Sequence, residues 1–289
     1  MNNGTPISTA TRLCAVIGNP IGHSLSPAIH NAAFEALGLD FVYVSFRVED
    51  VQGALAGMRA LENFRGMSVT IPHKIDAMKY VDEIAEMDRS IGSINTIINE
   101  QGRLIGLGTD GPGALKALTD AGVELAGRNI LLVGAGGASR AIAFTLARSA
   151  APERLTLLDI NEGLLNGLAA DLRSGTATRI DSELLTGESL ATAMAHADVI
   201  INCTPIGMHP KEDASVIPAH LFRAGQSVFD IVYSPLETKL LADARAKGLK
   251  TVSGVEMFIN QAVLQFRVFT GVDAPEAVMR QVVMARLGA

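Results

Sequence analysis

Val133-Gly134-Ala135-Gly136-Gly137-Ala138-Ser139-Arg140 follows the apolar run Asn129-Ile130-Leu131-Leu132 and opens an apolar-periodic segment that ends near Ala150. That order predicts a strand, a glycine turn and a helix. Glycines let the backbone bend tightly and approach a pyrophosphate, whose charge then rests on free N–H groups at the positive end of the helix. Strings of this kind also occur in turns that bind nothing, so the context decides. A second apolar run, Arg154-Leu155-Thr156-Leu157-Leu158, ends in Asp159. This is about 20 residues downstream, where an acidic side chain grips the ribose hydroxyls of a dinucleotide. Gly134, Ala135, Gly136, Gly137, Ala138 and Asp159 are therefore candidate cofactor contacts.

Asp159 also bears on which dinucleotide binds. A carboxylate there accepts hydrogen bonds from both adenosine ribose hydroxyls and repels the additional phosphate of NADP. Ile160 and Asn161 follow it, with no arginine to receive that phosphate. The sequence thus predicts NAD as the preferred cofactor, with NADP admitted second. The structural alternative is that Asp159 caps the next helix at Asn161-Glu162. Arg140 and Arg179 are also placed to fold back toward a phosphate.

The 289 residues are 48% hydrophobic and 19% charged, a composition of globular cores whose length suggests two domains. Residues 1–11, rich in Asn, Thr and Ser, are expected to be disordered and carry no signal-peptide pattern. No apolar run reaches the ~18 residues of a membrane span, so a cytoplasmic protein without a membrane partner is expected. Cys14 and Cys203 fall in expected buried strands, and two cysteines make neither a disulfide framework nor a metal site. A net charge of −6 argues against a nucleic-acid partner, which needs a basic patch. A small anionic substrate answers to local groups instead.

Before the glycine turn, strands expected over 13–17, 41–46 and 66–70 alternate with helices over 27–37 and 51–61. This βαβαβ order predicts a mainly parallel sheet with ligands at the carboxyl ends of its strands. A helix-rich stretch to Ser90 follows, then short strands over 94–99 and 104–107 and a helix from Pro112. After the turn, further strands are expected over 199–203, 228–231 and 251–252, and two helices over 255–270 and 275–287 close the chain.

Polar segments stand where the first-half strands end. Ser24 and Ser26, spaced i, i+2 beside a helix start with Pro27 in its first turn, can point together at an anion, or Ser26 can simply cap the helix. Thr70 and Pro72 deliver Lys74 to the sheet rim, where partial desolvation suits a lysine to proton transfer, although most lysines are merely solvated. Asp110, flanked by glycines in Gly108-Thr109-Asp110-Gly111, is a second candidate acid–base group or an ordinary cap. Asn95 offers an amide that donates and accepts. His23 and His30 have no partners at metal-ligand spacing, and no metal is expected.

In order along the chain stand Ser24-Leu25-Ser26-Pro27 with His30-Asn31, Val69-Thr70-Ile71-Pro72-His73-Lys74, Gly92-Ser93-Ile94-Asn95-Thr96, Thr109-Asp110-Gly111, the glycine turn, Asn202-Cys203-Thr204-Pro205-Ile206-Gly207-Met208 and Gln261-Ala262. From Val16 to Gly271 the chain resembles the shikimate/quinate dehydrogenases. The resemblance implies an α/β protein of two domains: an N-terminal substrate-binding catalytic domain over 1–111 and 255–289, with C-terminal helices returning to it, and a Rossmann-like domain over 112–254. It implies Lys74 and Asp110 as the catalytic pair. Ser24, Ser26 and Tyr233 would hold a carboxylate, and Thr70, Asn95 and Gln261 would bond ring hydroxyls. Glu86, Thr204 and Gly254 would lie near the cofactor. The partner is then a small anionic polyhydroxy ring acid, and a homodimer is compatible with the family.

Two departures stand near the expected substrate: Ser68 and Gly108 occupy positions where the family commonly has asparagine. At the end of the second strand, Asp159-Ile160-Asn161 stands where NADP-using members usually read Asn-Arg-(Thr/Ser). The expected activity is reversible, NAD-preferring oxidation of a ring hydroxyl of shikimate or quinate. The alternatives are a related ring acid such as an aminoshikimate, a ligand-sensing relative without turnover, or another two-domain Rossmann enzyme such as a folate dehydrogenase. The intact Lys74 and Asp110 speak against the sensor, and the paired serines against the folate enzyme.

Overall fold

A computed structural model describes residues 6–288. It divides into two compact units, one running to Thr109 and resuming at Gln261, the other running from Asp110 to Asn260. Of the stretch expected to be disordered, residues 1–5 lie outside the described residues. Thr11, by contrast, is buried, and its Oγ1 donates to Asp40 Oδ1 at 2.6 Å, so the ordered chain begins before the first strand.

The first unit opens with β1 (Arg12–Gly18), α1 (Ser26–Ala36), β2 (Phe41–Arg47), α2 (Val51–Arg59) and β3 (Phe64–Val69). β1 pairs in parallel with both β2 and β3. Then come β4 (Glu83–Ile84), α3 (Glu86–Ile91), β5 (Thr96–Glu100) and β6 (Arg103–Leu107), giving the sheet order β2-β1-β3-β5-β6-β4. Among the described residues of this sheet β5 alone is reversed, antiparallel to β3 and β6. Its start therefore lies on the edge where β1, β3 and β6 end. The two-residue β4 was not expected, being too short to show a period.

The α1 side chains Ser26, Ile29, His30, Ala33 and Phe34 are buried at i, i+3, i+4, i+7, i+8 spacing, the stripe of a helix packed on a sheet. His30 lies fully buried and stacks on Tyr43 at 4.5 Å. Burial pushes its imidazole down to about 3, so it is neutral and structural. Ala15, Ile17, Leu55, Phe64, Met67 and Ile97 form a second core.

The second unit contains α4 (Asp110–Asp120), β7 (Asn129–Val133), α5 (Gly137–Ser149), β8 (Arg154–Asp159), α6 (Glu162–Gly175), β9 (Arg179–Leu184), α7 (Gly187–His196), β10 (Val199–Asn202), β11 (Ser227–Asp230), α8 (Lys239–Ala246) and β12 (Lys250–Ser253). Its sheet order is β12-β11-β10-β7-β8-β9, with every pair parallel. The order reverses between β7 and β10, the place where such sheets open a crevice for a ligand. β9 was not foreseen. Within Arg179-Ile180-Asp181-Ser182-Glu183-Leu184 only Ile180 is buried, as befits an edge strand without an apolar run.

The last helices are α9 (Gly254–Thr270) and α10 (Glu276–Leu287). α10 packs on α1, so the C-terminal helices belong to the first unit. Both divisions between the units differ from those expected at 111/112 and 254/255. α4 starts at Asp110 rather than Pro112, and the first turns of α9 stay with the second unit, where Asn260 Nδ2 donates to Gly113 O at 3.5 Å. Cys203 also departs from expectation: β10 stops at Asn202, which leaves Cys203 half-buried beyond the strand, whereas Cys14 is buried within β1. Among the described residues no helix is long and apolar enough to cross a membrane, and no His, Cys, Asp and Glu group has the makeup of a metal site.

Candidate active site

The carboxyl edge of the first sheet collects the polar segments. After β1, Ser24 Oγ accepts the Ser26 N–H at 3.3 Å. Ser26 is a buried residue inside α1 and not its cap, since Leu25 occupies the N-cap position with no side-chain bond. After β3, Thr70 N–H donates to Ile17 O at 2.9 Å, and His73 N–H donates to Thr70 O at 2.9 Å. The buried His73 ring joins Val48 O at 2.8 Å through Nε2, which fixes the turn leading to Lys74. Lys74 is half-buried, and its carbonyl accepts the Ile94 N–H at 3.0 Å, one residue before Asn95.

Asn95 sits at the centre of this edge. Its Oδ1 accepts the Thr109 N–H at 2.7 Å and its Nδ2 donates to Thr109 Oγ1 at 2.9 Å. Thr109 Oγ1 in turn reaches Gln261 Oε1 at 3.4 Å. Behind this cluster Tyr43 OH donates to Ser68 Oγ at 2.6 Å, and Ser68 donates to Gln265 Oε1 at 2.7 Å. Gln265 Nε2 donates to Thr96 Oγ1 at 2.9 Å and to Asn95 O at 3.2 Å. Buried polar groups that are this fully paired hold one geometry, because breaking any link strands its partner without water. Tyr43, His73, Thr109 and Gln265 are the residues that sequence reasoning missed. The only signal of Tyr43 and Gln265 was a polar side chain inside an apolar strand or helix, whereas His73 and Thr109 stand in loop motifs whose neighbours Lys74 and Asp110 drew the attention.

In the second unit the glycine turn lies at the end of β7. Gly134 has φ +107, and a Cβ there would lie 2.9 Å from the backbone carbon of Cys203, so both conformation and space require glycine. Gly136 is the N-cap of α5 and supplies no side-chain bond; a Cβ on it would meet nothing within 4 Å. The first turn of α5, which includes Gly137 and Ala138, carries no acidic residue. No side chain at the N-cap or acidic group in the first turn takes up its N–H groups, a cradle that fits a pyrophosphate.

Asp159 Oδ2 accepts the Ala135 N–H at 2.5 Å, and Oδ1 accepts the Asn161 N–H at 2.6 Å. The cap of α6 is Asn161, whose side chain accepts from Leu164, so Asp159 is not the helix cap. A carboxylate has about four acceptor positions, and these bonds leave two for ribose hydroxyls. Arg140 pairs with Asp171 at 2.5 Å and Arg179 with Asp181 at 3.8 Å, so both guanidinium groups already face carboxylates.

Thr204 follows β10, its Oγ1 donating to Asn202 Oδ1 at 2.7 Å. Asn202 Nδ2 donates to Asp230 Oδ1 at 2.9 Å, and Thr238 Oγ1 donates to Asp230 Oδ2 at 2.6 Å. Burial pushes the Asp230 carboxyl up to about 6. This buried trio, also missed from the sequence, ties the loops after β10 and β11 together. Tyr233 lies on the second of those loops and stacks on Phe258 at 4.6 Å; burial pushes its phenol up to about 12. Gly254 opens α9, Asp110 is buried at the start of α4, and Glu86 is exposed at the start of α3.

Known families match both ends of the chain: residues 16–97 the shikimate dehydrogenase substrate binding domain, and residues 254–284 the shikimate 5'-dehydrogenase C-terminal domain. A shikimate dehydrogenase (NADP(+)) of Methanosarcina mazei is 43% identical over 280 residues, covering 95% of this chain and 98% of its own. A shikimate dehydrogenase solved in complex with NADP+ superposes with TM-score 0.89 at 37% identity, over 99% of both chains. The shikimate 5-dehydrogenase of Listeria monocytogenes, solved with shikimate and NAD, gives TM-score 0.88 at 32% identity over 96% of this chain and 98% of that one. The chain belongs to the shikimate dehydrogenase family, whose members are oxidoreductases acting on a CH–OH group.

Proposed function

We propose that this protein reversibly oxidises a ring hydroxyl of shikimate to the 3-dehydro ketone, with quinate as a second substrate and NAD as the preferred cofactor. The observation that carries the substrate reading is the paired polar cluster of Asn95, Thr109 and Gln261 beside the serines that follow β1. A polyhydroxy acid needs an anion site at one end and amide partners along the ring. A site built this way rejects analogues that leave its buried groups unpaired.

In this reading Ser24 and Ser26, with Tyr233, donate to the substrate carboxylate, and Thr70, Asn95 and Gln261 orient the ring hydroxyls. Lys74 takes the hydroxyl proton in oxidation and returns it in reduction, while Asp110 holds that hydroxyl and shares the proton. The dinucleotide, when bound, supplies hydride acceptance and donation. The Gly134 to Ala138 turn and the start of α5 would hold its pyrophosphate, with Glu86, Thr204 and Gly254 nearby.

NAD preference rests on Asp159, on the exposed Ile160 where a phosphate partner would stand, and on the carboxylate pairing of Arg140 and Arg179. The Listeria relative was solved with NAD, whereas the Methanosarcina relative is named for NADP(+). Steady-state rates with shikimate and quinate, each with NAD and NADP, test the proposal. Turnover of shikimate that is fastest with NAD supports it, and absence of turnover with both acids overturns it.

A further inference from the structure

Asp88 is a buried acid that the proposed chemistry leaves without a role. It lies on α3 and is 8% exposed. Burial raises its carboxyl, and the N–H that Gly108 donates to it opposes the shift. Gly108 is fitted to that contact. A Cβ on residue 108 would lie 2.5 Å from Asp88 Oδ1 and 3.3 Å from its Cγ. The φ of Gly108 is outside the left-handed region, so space and not backbone conformation demands glycine there. The next peptide N–H, that of Thr109, donates to Asn95 Oδ1 at 2.7 Å. Asp88 and Asn95 thus grip two successive N–H groups immediately before Asp110. The backbone of Asp88 is itself fixed, since its carbonyl accepts the Gly92 N–H at 3.1 Å where α3 ends.

We propose that Asp88 is a positioning residue for Asp110: its carboxylate fills the space that a side chain on residue 108 would occupy and fixes the backbone from which Asp110 emerges. The proposal rests on Asp110 acting in the chemistry. Its test compares Asp88→Ala, Asp88→Asn, Gly108→Asn, Asp88→Ala/Gly108→Asn and Asp110→Ala, all as full-length protein.

Asp88→Ala and Gly108→Asn are each expected to lower kcat for shikimate about ten- to hundredfold, the scale of one bond to a charged acceptor, with KM for the dinucleotide unchanged. Asp88→Asn keeps an oxygen for the Gly108 N–H and is expected within about threefold of wild type. In the double variant the new amide enters the space the carboxylate leaves, and kcat recovers about tenfold over Gly108→Asn alone. Hydrogen exchange of the peptide over 104–112, which is independent of turnover, is expected to quicken in Asp88→Ala and Gly108→Asn and to slow again in the double variant. Unchanged kcat in Asp88→Ala, or a double variant no better than Gly108→Asn, overturns the proposal. Full turnover in Asp110→Ala defeats the catalytic reading instead, and the exchange rates alone then decide whether Asp88 holds the loop.

Discussion

In the second unit the loop proposed to hold the cofactor is one unbroken stretch, Gly134 to Ala138, that presents backbone N–H groups. In the first unit the polar cluster gathers Tyr43, Ser68, Asn95, Thr109, Gln261 and Gln265 from β2, β3, the ends of β5 and β6, and α9. A phosphate is recognised by peptide groups, so a turn of suitable conformation suffices and the site is local in sequence. A ring acid must be met from several directions by side chains, so the site proposed for it is assembled by the fold. The supports differ as well. The first cluster is neutral amides and hydroxyls, whereas a carboxylate, Asp230, links Asn202 and Thr238 in the second.

The largest effect expected lies on the pair proposed to handle the proton. Lys74→Ala and Asp110→Ala are each expected to lower turnover by about 10²-fold or more, the scale of acid–base catalysis, while NAD binding measured by calorimetry stays within error. Near-normal turnover in either folded variant removes that residue from the chemistry. Next comes the proposed anion site. Ser24→Ala with Ser26→Ala removes two donors, each worth about 1.5–3 kcal/mol if charge-assisted. The KM for shikimate is expected to rise far more than that for NAD. Equal rises in both would mean that the serines shape the helix start and do not hold the substrate.

The Asp230 link is expected to make the stability of the second unit depend on pH. Its folded pKa of about 6 lies above the ordinary 3.8. The carboxyl therefore contributes stability that is fully present below the unfolded value and lost as pH rises through the folded one. The difference amounts to about 3 kcal/mol between pH 3.8 and 6, taking 1.36 kcal/mol per unit. Denaturant unfolding of wild type and Asp230→Asn at pH 4, 5, 6 and 7 checks this: wild type is expected to lose stability relative to the variant across that window. Burial raises Asp88 too, but it is common to both proteins and cancels in the difference. Parallel stability curves would mean that Asp230 keeps an ordinary pKa.

Legibility in the sequence follows the same division. β7 carries the apolar buried run 130–133 and β8 the buried Leu155, Leu157 and Leu158, and the turn between β7 and α5 announces itself by its glycines. β9 was illegible because one buried isoleucine in an edge strand makes no pattern. Ser68 and Gly108 were visible as departures, but not what they permit. Ser68 takes the hydrogen of Tyr43 OH, a residue 25 positions away, and Gly108 gives room to Asp88. Such partners are set by strand register and loop approach, which no local window contains. The unit boundary inside α9 was illegible for the same reason, since one helix with an even pattern serves both units.

The division of labour is tested most directly by cofactor choice. With shikimate fixed, the ratio of kcat/KM for NAD to that for NADP is measured in wild type and in Asp159→Asn/Ile160→Arg. The exchange removes a carboxylate and supplies a guanidinium for the phosphate. The account predicts a wild type that favours NAD by about ten- to a hundredfold, a reversed ratio in the double variant, and a shikimate KM that does not move. A wild type that already favours NADP, or a shikimate KM that shifts with the ratio, would contradict it.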